Sequence, residues 1–325
     1  MTAGHDDWRP TAALAEIQLR AELLARARAY FAAEQVLEVD TPVLGRAGVT
    51  DVQLASIEAR VGGQPAPCFL QTSPEYAMKR LLAAGAPDIY QVCKAFRDAE
   101  RGRHHNPEFT LIEWYRHGYD ADDLMDDVQA LLAVLVGAER LGPVERIAYA
   151  ALLQRELGVD PYRTPVETLA AVARARLGEI AMGTEAGRDP WLDLLMGAVI
   201  GPALGRDHLV FVHSYPASQA ALARRQPGDP PTAARFEAYL AGIELCNGFH
   251  ELSDPVEQRQ RFAADAAERE RLGLAPRAPD ERLLAALAAG LPDCAGVALG
   301  FDRVLMLAAG AASIDEVLTF PIERA

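Results

Sequence analysis

The sequence predicts an α/β (α+β) fold in one domain over residues 1–325. Two alternating runs of apolar and polar residues, at 89–97 and 109–115, indicate strands joined by a polar loop. Apolar residues at helical spacing over 11–33 indicate a long amphipathic helix. The 325 residues contain no long Gly/Ser or Pro linker and no internal repeat, which favours a single domain with insertions.

Composition excludes several classes of function. The net charge of −14 argues against a broad nucleic-acid-binding surface, which requires a basic footprint. The four cysteines are widely spaced with no CxxC pair, so neither a zinc site nor a disulfide framework is indicated. The N-terminus is polar and no apolar run reaches about eighteen residues. We therefore expect a cytoplasmic protein without a signal peptide or a membrane span.

The first helix and strand fit two different packing arrangements. A short strand over 36–44 is interrupted by Pro42, which cannot donate to a sheet and therefore suits an edge. The helix at 11–33 and this strand fit a cap on the sheet of the same chain and fit a dimer interface equally well. The segment 49–70 is hairpin-like, with a turn predicted at residues 62–63.

A helix start follows in the segment TSPEY. Ser73 is predicted as the N-cap, with Pro74 at the first helical position and Glu75 in the first turn. Glu75 fits the role of a capping acid, because acids are favoured at a helix N-terminus, and it fits a ligand-binding role.

The strand pair at 89–97 and 109–115 carries the strongest signal for chemistry. Arg97 lies where the first strand gives way to the loop, and Phe109, Glu113 and Tyr115 share one face of the second strand. Such a face can hold a phosphate, stack a base and bind an amine. An ordinary amphipathic hairpin with a solvated basic loop fits the same pattern.

The middle of the chain shows mainly structural patterns. The Ala- and Leu-rich segment 120–205 is predicted to be a helical insertion with a structural role. A strand follows at 209–212, and the Pro- and Gly-rich segment 224–232 is predicted to be a surface loop.

Two acids mark the next segment, which reads as one continuous strand over 236–249. Glu244 stands in an apolar context and Glu251 follows seven residues later. Because an unpaired buried carboxylate is costly, these acids must meet cations, hydrogen-bond donors or a metal. A Mg²⁺ or amine site and a pair of structural salt bridges both satisfy this requirement.

The C-terminal part begins with helices over 255–289, with a loop at 273–279. In the strand that follows, the small residues Gly296, Ala298 and Gly300 alternate and so share one face, which indicates a close approach from that side. Asp302 is predicted to cap the next helix, and Arg303 in its first turn would meet phosphate at the positive helix end. Close helix-to-sheet packing with a solvated arginine is the alternative.

These segments occur in an order that resembles one family. VLEVDTPVL is similar to motif 1, FRDAE with HHNPEFTLIEWY to motif 2, and GVALGFDRVLML to motif 3 of the class II aminoacyl-tRNA synthetases. TSPEY, HHNPEF and IELCNGFHEL narrow the resemblance to the lysyl-tRNA synthetase branch, from about residue 12 to the end. The resemblance implies a mostly antiparallel sheet flanked by helices.

The chain departs from that branch at three points. Only about ten residues precede the motif 1 helix, so no anticodon-binding domain is expected. Ala298 stands where a lysyl-tRNA synthetase has Gly, and His250 where it has Ser. One added methyl group in a pocket shifts substrate preference by about 1 to 3 kcal/mol. These departures resemble the truncated paralogues that attach a lysine-like group, preferably (R)-β-lysine, to a lysine of elongation factor P.

The resemblance implies ATP and Mg²⁺ as cofactors, elongation factor P as the acceptor, a homodimer, and little role for tRNA. It implies ATP-binding residues as follows: Arg97, Asp98, Ala99, Glu100, Asn106, Phe109, Glu244, Leu245, Gly300 and Arg303. It implies substrate-binding residues as follows: Ser73, Pro74, Glu75, Glu113, Tyr115, Glu251 and Ala298. Arg97, Arg303, Glu244 and Glu251 would be catalytic, with the two acids on the metal.

Two alternatives remain at this level. A minimal lysyl-tRNA synthetase would need a basic surface for the acceptor stem. A catalytically inactive regulatory paralogue would have lost a phosphate-binding arginine or a metal-binding acid, and all four of these residues are present.

Overall fold

The computed structural model describes residues 8–325, which form two compact units. The first contains 8–118, 134–136 and 253–325, and the second contains Tyr119–Ala133 and Gly137–Leu252. The polar start of the chain, on which the absence of a signal peptide was predicted, lies at 1–7 outside the described residues. The single-domain organisation stays a prediction, and the second unit extends past the predicted insertion at 120–205.

The first unit contains four neighbouring sheet strands in the order β1-β5-β6-β12 and a small sheet of order β2-β4-β3. Its strands are β1 (Leu37–Glu38), β2 (Leu44–Gly45), β3 (Glu58–Ala59), β4 (Cys68–Leu70), β5 (Ile89–Phe96), β6 (Glu108–His117) and β12 (Cys294–Gly300). Its helices are α1 (Leu14–Ala33), α2 (Glu75–Ala83), α8 (Pro255–Arg271), α9 (Glu281–Gly290) and α10 (Phe301–Ala309). All pairings except β1 with β5 are antiparallel.

The second unit contains a sheet of order β11-β10-β8-β7, with β9 on β10, covered by helices. Its strands are β7 (Glu145–Ala148), β8 (Val210–Pro216), β9 (Arg225–Gln226), β10 (Thr232–Leu240) and β11 (Ile243–His250). Its helices are α3 (Ala121–Val136, whose last three residues belong to the first unit), α4 (Ala138–Leu141), α5 (Tyr149–Leu157), α6 (Val166–Leu177) and α7 (Arg188–Leu195). Only β7 with β8 is parallel, so the predicted mostly antiparallel α/β fold is confirmed.

The long N-terminal helix is present, but of its predicted apolar stripe only Ala27 and Phe31 are buried, while Leu14 and Ala21 are exposed. Its buried residues are Leu23, Ala27 and Phe31, which are spaced by four and therefore share one face. Phe31 stacks on Tyr90 of β5 with ring centroids 4.2 Å apart and meets Trp114 of β6 edge-on at 5.4 Å. This aromatic group holds α1 against the hairpin of β5 and β6.

The structure corrects two strand predictions. The strand expected over 36–44 is two strands of two residues, in different sheets, because Pro42 between them cannot donate to a ladder. The continuous strand expected over 236–249 is a hairpin of β10 and β11. Ala241 (φ 54°) and Gly242 (φ 76°) form its two-residue turn, which requires positive φ at both central positions.

Other element predictions agree more closely. The turn expected at 62–63 joins β3 to β4, and the helices expected over 255–289 are α8 and α9. The loop expected over 224–232 contains β9, which pairs with the start of β10. The predicted insertion is helical apart from β7. Within 8–325, no helix combines the length and the apolar character that crossing a membrane requires.

Candidate active site

The hairpin of β5 and β6 assembles the face that the sequence singled out. Its register places Ala95 opposite Phe109 and Gln91 opposite Glu113. Directly opposed residues of an antiparallel pair project to the same side of a sheet. Phe109 and Glu113 are four residues apart on one strand, so their positions are separated by about 13 Å along this face.

One end of this face is basic and carries an unsatisfied donor. Arg97 is partly buried, its Cζ lies 5.0 Å from the centroid of the Phe109 ring, and its Nη1 is 3.7 Å from Oε1 of Glu100. Its Nε is buried and has no hydrogen-bond partner in the structure. A buried donor without a partner is costly. The Nε group of Arg97 is therefore suited to bind an anion.

Arg303 reaches the same end from the first turn of α10. Its Nε donates to the His104 carbonyl at 3.2 Å, and its Nη2 lies 2.7 Å from Nε2 of His105. Partial desolvation and the positive charges of Arg303, His104 and Arg97 lower the pKa of His105 to about 4. His105 is therefore neutral near pH 7 and accepts from Arg303. Arg303 and Arg97 together make this end of the face a basic pole.

The loop between the two strands holds the remaining predicted nucleotide residues. Asp98 and Ala99 are exposed, and Ala99 has a left-handed backbone with φ 60°. Asn106 is buried, donating from Nδ2 to the Glu108 carbonyl at 2.7 Å and accepting at Oδ1 from the Ile322 amide at 3.1 Å. The Asn106 amide is thus occupied in shaping the loop.

The other end of the face is acidic and deeply buried. Glu113 is 2% exposed, and its two oxygens accept from Ser73 Oγ at 2.7 Å and from Tyr115 Oη at 2.8 Å. Burial and the neighbouring charge of Glu75 raise the pKa of Glu113 to about 8, against the opposing effects of both donors and of Lys79. A carboxyl group in this state is ready to ionise when a cation arrives.

Glu75 lies on the first turn of α2 and is paired inside the protein. Its Oε1 is 2.6 Å from Nζ of Lys79, which is 1% exposed. The predicted cap is displaced by one position: Pro74 is the N-cap, while the Ser73 hydroxyl still accepts from the Glu75 amide at 3.0 Å. Ser73 therefore links the helix start to Glu113.

β12 borders the acidic end with small residues. Ala298 pairs with Glu113, Gly296 with Tyr115, and Gly300 with Leu111. The methyl group of Ala298 therefore projects beside the buried acid, and this residue is only partly buried. The predicted small residues therefore lie beside the acidic end of the face.

Asp302 does not cap α10, which is a correction to the sequence analysis. The N-cap is Gly300 and shows no side-chain cap. Asp302 is instead 1% exposed and accepts from the Thr110 amide at 2.6 Å and from Arg20 of α1. It joins α1, β6 and α10, which fixes Arg303 relative to the hairpin.

The predicted metal acids lie in the second unit. Glu244 and Leu245 are in β11, with Glu244 partly buried, and Glu251 follows the strand and is 1% exposed. The pairing of β10 with β11 shifts between Ala238 and Tyr239, so that β11 contains one extra residue between Glu244 and Cys246. Among the described residues, no group of three or more His, Cys, Asp or Glu forms a metal cluster.

Sequence reasoning missed three residues of the first unit's site. Lys79 has a usable signal, since Glu75 and Lys79 stand four apart on a helix and so face each other. Gln91 is buried, lies opposite Glu113 and accepts from Thr41 at 2.9 Å. The alternation along 89–97 is the signal that could have identified it. His105 lies in a polar loop and carried no signal of its own. The roles of the site residues stay predictions.

Comparison with known proteins places this arrangement in a family. Residues 2–324 match the family model described as tRNA synthetases class II (D, K and N). A protein of Vibrio cholerae named elongation factor P–(R)-β-lysine ligase is 48% identical over 326 residues, covering 99% of each chain. Proteins of the same name from Vibrio vulnificus (48% identical; 97% of this chain, 98% of the relative) and Klebsiella pneumoniae strain 342 (47% identical; 98% of each chain) are similar over nearly their whole length.

Proposed function

Since the chain belongs to the class II tRNA synthetases of the D, K and N group, we propose that it is an ATP-dependent ligase acting on elongation factor P. It activates a lysine-like amino acid, (R)-β-lysine by preference, and transfers it to the ε-amine of a lysine of that protein. The names of the relatives support both the amino acid and the acceptor. The family resemblance that the sequence predicted is confirmed.

One observation carries the activation step: a basic pole and a buried acid lie along one face of the β5 and β6 hairpin. Phe109 and Arg97 at one end suit a base and a phosphate, and Glu113 at the other end suits an ammonium group. An aminoacyl adenylate has the same polarity, with a nucleotide at one end and an amine at the other. The separation of about 13 Å leaves room for the mixed anhydride between them.

The proposed reaction has two steps. A carboxylate oxygen of the amino acid attacks the α-phosphorus of ATP, and the bond to pyrophosphate breaks. The acceptor ε-amine then attacks the carbonyl carbon of the adenylate, an amide bond forms, and AMP leaves with the bonding electrons while the amine loses a proton. Both steps depend more on fixed geometry than on acid–base chemistry.

Arg97 and Arg303 supply the electrostatic part. Negative charge accumulates on the phosphate oxygens as the first bond breaks, and fixed guanidinium groups stabilise that charge without reorganising. The neutral His105 orients Arg303 through the contact of 2.7 Å. Phe109 would stack on the base.

We assign Mg²⁺, when it is bound, to Glu244 and Glu251 of the second unit. Carboxylate oxygens are suitable ligands for this ion. The extra residue in β11 supports the assignment, because it brings two acids of odd spacing to the same side of the strand.

We also propose that the protein is a cytoplasmic homodimer through its motif 1 segment. Leu14 at the start of α1, Leu37 of β1 and Leu44 of β2 are exposed by 66, 51 and 43% respectively. Large apolar side chains that stay exposed along the motif 1 segment would be buried by a second copy of the chain. Sedimentation showing only monomer at micromolar concentration would contradict this.

The function is tested by incubating the protein with ATP, Mg²⁺, (R)-β-lysine and purified elongation factor P, followed by intact-mass analysis. We expect a mass gain of one β-lysyl group on the factor and no charging of tRNA in a parallel assay. Arg303→Ala should abolish the gain, while Arg259→Ala, which alters an exposed arginine, should not. Aminoacylation of tRNA without modification of the factor would refute the proposal.

A further inference from the structure

The polar loop of the candidate site is held from outside by the C-terminal segment 312–323. The Ile314 amide donates to the Arg103 carbonyl at 2.9 Å, and Nε of Arg103 donates to the Ala312 carbonyl at 2.6 Å. The Ile322 amide donates to the buried Asn106. The loop and the segment therefore meet at several places along their length.

Arg101 lies at the centre of this contact. Its Nε and Nη2 donate to the two oxygens of Glu323 at 2.6 and 2.9 Å, and Nη2 also donates to Oδ2 of Asp315 at 2.8 Å. Its Nη1 points back into the loop, to the carbonyls of Gly102 at 3.2 Å and His105 at 3.3 Å. One planar guanidinium group thus joins two C-terminal carboxylates to the loop backbone.

The contact continues to the basic pole. Arg101 binds the carbonyl of His105, the ring of His105 binds Arg303, and Arg303 also binds the carbonyl of His104. The Gly102 and His105 backbones are hydrogen-bonded to each other in both directions. A displacement of Arg101 would therefore move the groups that orient Arg303.

Stability alone does not account for this arrangement. Arg101, Asp315 and Glu323 are 31, 34 and 56% exposed at their side chains, and exposed ion pairs contribute little to the free energy of unfolding. A bidentate pair with a further carboxylate is nevertheless geometrically specific, because the guanidinium fork fixes the direction of every bond. Its main effect is to restrict the conformation of the loop.

We propose that Glu323 and Asp315 are positioning residues for nucleotide binding, which act through Arg101 on the loop that carries His105 and meets Arg303. The proposal rests on the function proposed above and assigns part of it to the C-terminal segment. Without these carboxylates the loop populates conformations that do not bind ATP. The observed dissociation constant then rises in inverse proportion to the competent fraction.

The sign of the effect separates positioning from direct electrostatics. Glu323 and Asp315 carry the same charge as the phosphates, so their neutralisation would strengthen ATP binding if they acted only through their charge. Release of Arg101 as an unpaired cation would strengthen it further. A positioning role predicts the opposite result, which is weaker binding.

The experiment compares Glu323→Gln, Asp315→Asn/Glu323→Gln and Glu281→Gln with the unaltered protein. Glu281 forms an equivalent exposed bidentate pair with Arg259, at 2.9 and 2.7 Å, and serves as the matched control. Calorimetry measures the Kd for ATP with Mg²⁺ and, separately, the Kd for lysine. Thermal unfolding is recorded for each protein.

We expect the Kd for ATP to rise about 3-fold in Glu323→Gln and about 10-fold in the double variant, as the competent fraction falls to about a third and a tenth. The Kd for lysine and the Tm should stay close to those of the unaltered protein and of Glu281→Gln. Glu323→Asp, which keeps the charge on a shorter side chain, should recover part of the affinity. If the double variant does not fold, the single variant decides.

Two results would overturn the inference. Unchanged or tighter ATP binding in Glu323→Gln would show that the carboxylates do not position the loop. A parallel loss of lysine affinity, ATP affinity and Tm would show a general structural role. Absence of ATP binding by the unaltered protein would instead refute the proposed function, so the two failures are distinguishable.

Discussion

Replacement of Glu113 by Gln tests the acidic end of the site, because the structure makes the charge of this residue depend on its ligand. The pKa of about 8 means that Glu113 carries about 0.9 of a proton at pH 7 in the ligand-free protein. A substrate ammonium placed against it would lower that pKa and expel the proton. Binding of lysine at pH 7 should therefore release about 0.9 proton, and the affinity for lysine should rise about 9-fold from pH 6 to 7 and about 5-fold from pH 7 to 8.

The assay is isothermal titration calorimetry of lysine, or (R)-β-lysine, in buffers that differ in their enthalpy of ionisation. The slope of the observed enthalpy against the buffer enthalpy gives the number of protons released. Glu113→Gln keeps the shape of the side chain and removes the titration, so its slope should be near zero and its affinity lower by about 100-fold. Glu108→Gln, an exposed acid of the same strand, is the matched control.

The same shift predicts the pH dependence of stability. The folded state retains the proton on Glu113 up to about pH 8, whereas the unfolded chain releases it near pH 4.5. The free energy of unfolding should therefore fall as the pH rises from about 4.5 to 8, by about 5 kcal/mol for this residue. Glu113→Gln should lack that fall. If lysine binding releases the same number of protons in Glu113→Gln as in the unaltered protein, the reasoning is refuted.

Two further predictions concern single side chains. Ala298→Gly removes the methyl group beside Glu113. The ratio of kcat/KM for α-lysine to that for β-lysine, measured by pyrophosphate exchange, should rise by about 5- to 150-fold, equivalent to about 1 to 3 kcal/mol. An unchanged ratio would show that Ala298 does not select between the two substrates. Asp302→Asn places an amide against the donors Thr110 and Arg20 and should lower the free energy of unfolding, measured in urea, by about 3 kcal/mol. Glu22→Gln, in an exposed ion pair, should lower it by less than about 1 kcal/mol. Equal losses in the two variants would contradict the structural role of Asp302.

The hairpin could be predicted from the sequence because its signals are local. The alternation along 89–97 and 109–115 determines which side chains share a face, and the register of β5 with β6 confirms that face. The turn at 241–242 escaped prediction for a related reason. Ala-Gly is a weaker turn signal than Asn-Gly, and the apolar residues on both sides made one continuous run.

Contacts between distant parts of the chain could not be predicted in this way. Asp302 has the sequence context of a cap, but its partner Thr110 is 192 residues away. Arg101 has the appearance of a solvated loop arginine, and Glu323 lies 222 residues from it. A single sequence reports which residues are neighbours along a strand or a helix turn. It carries no information on which buried donor meets which acid after the chain has folded.

The two predicted metal acids show how a local irregularity decides a site. In a regular strand, residues seven apart project to opposite faces, so Glu244 and Glu251 could not act on one ion if the alternation continued unbroken. The register of β11 against β10 shifts at one place between them, which adds one residue and reverses the alternation. Glu244 and Glu251 then project to the same side although they are seven residues apart. The proposal that both acids hold Mg²⁺ depends on this extra residue. A deletion of Leu245 would restore regular pairing and should abolish any joint action of the two acids, even though both carboxylates remain.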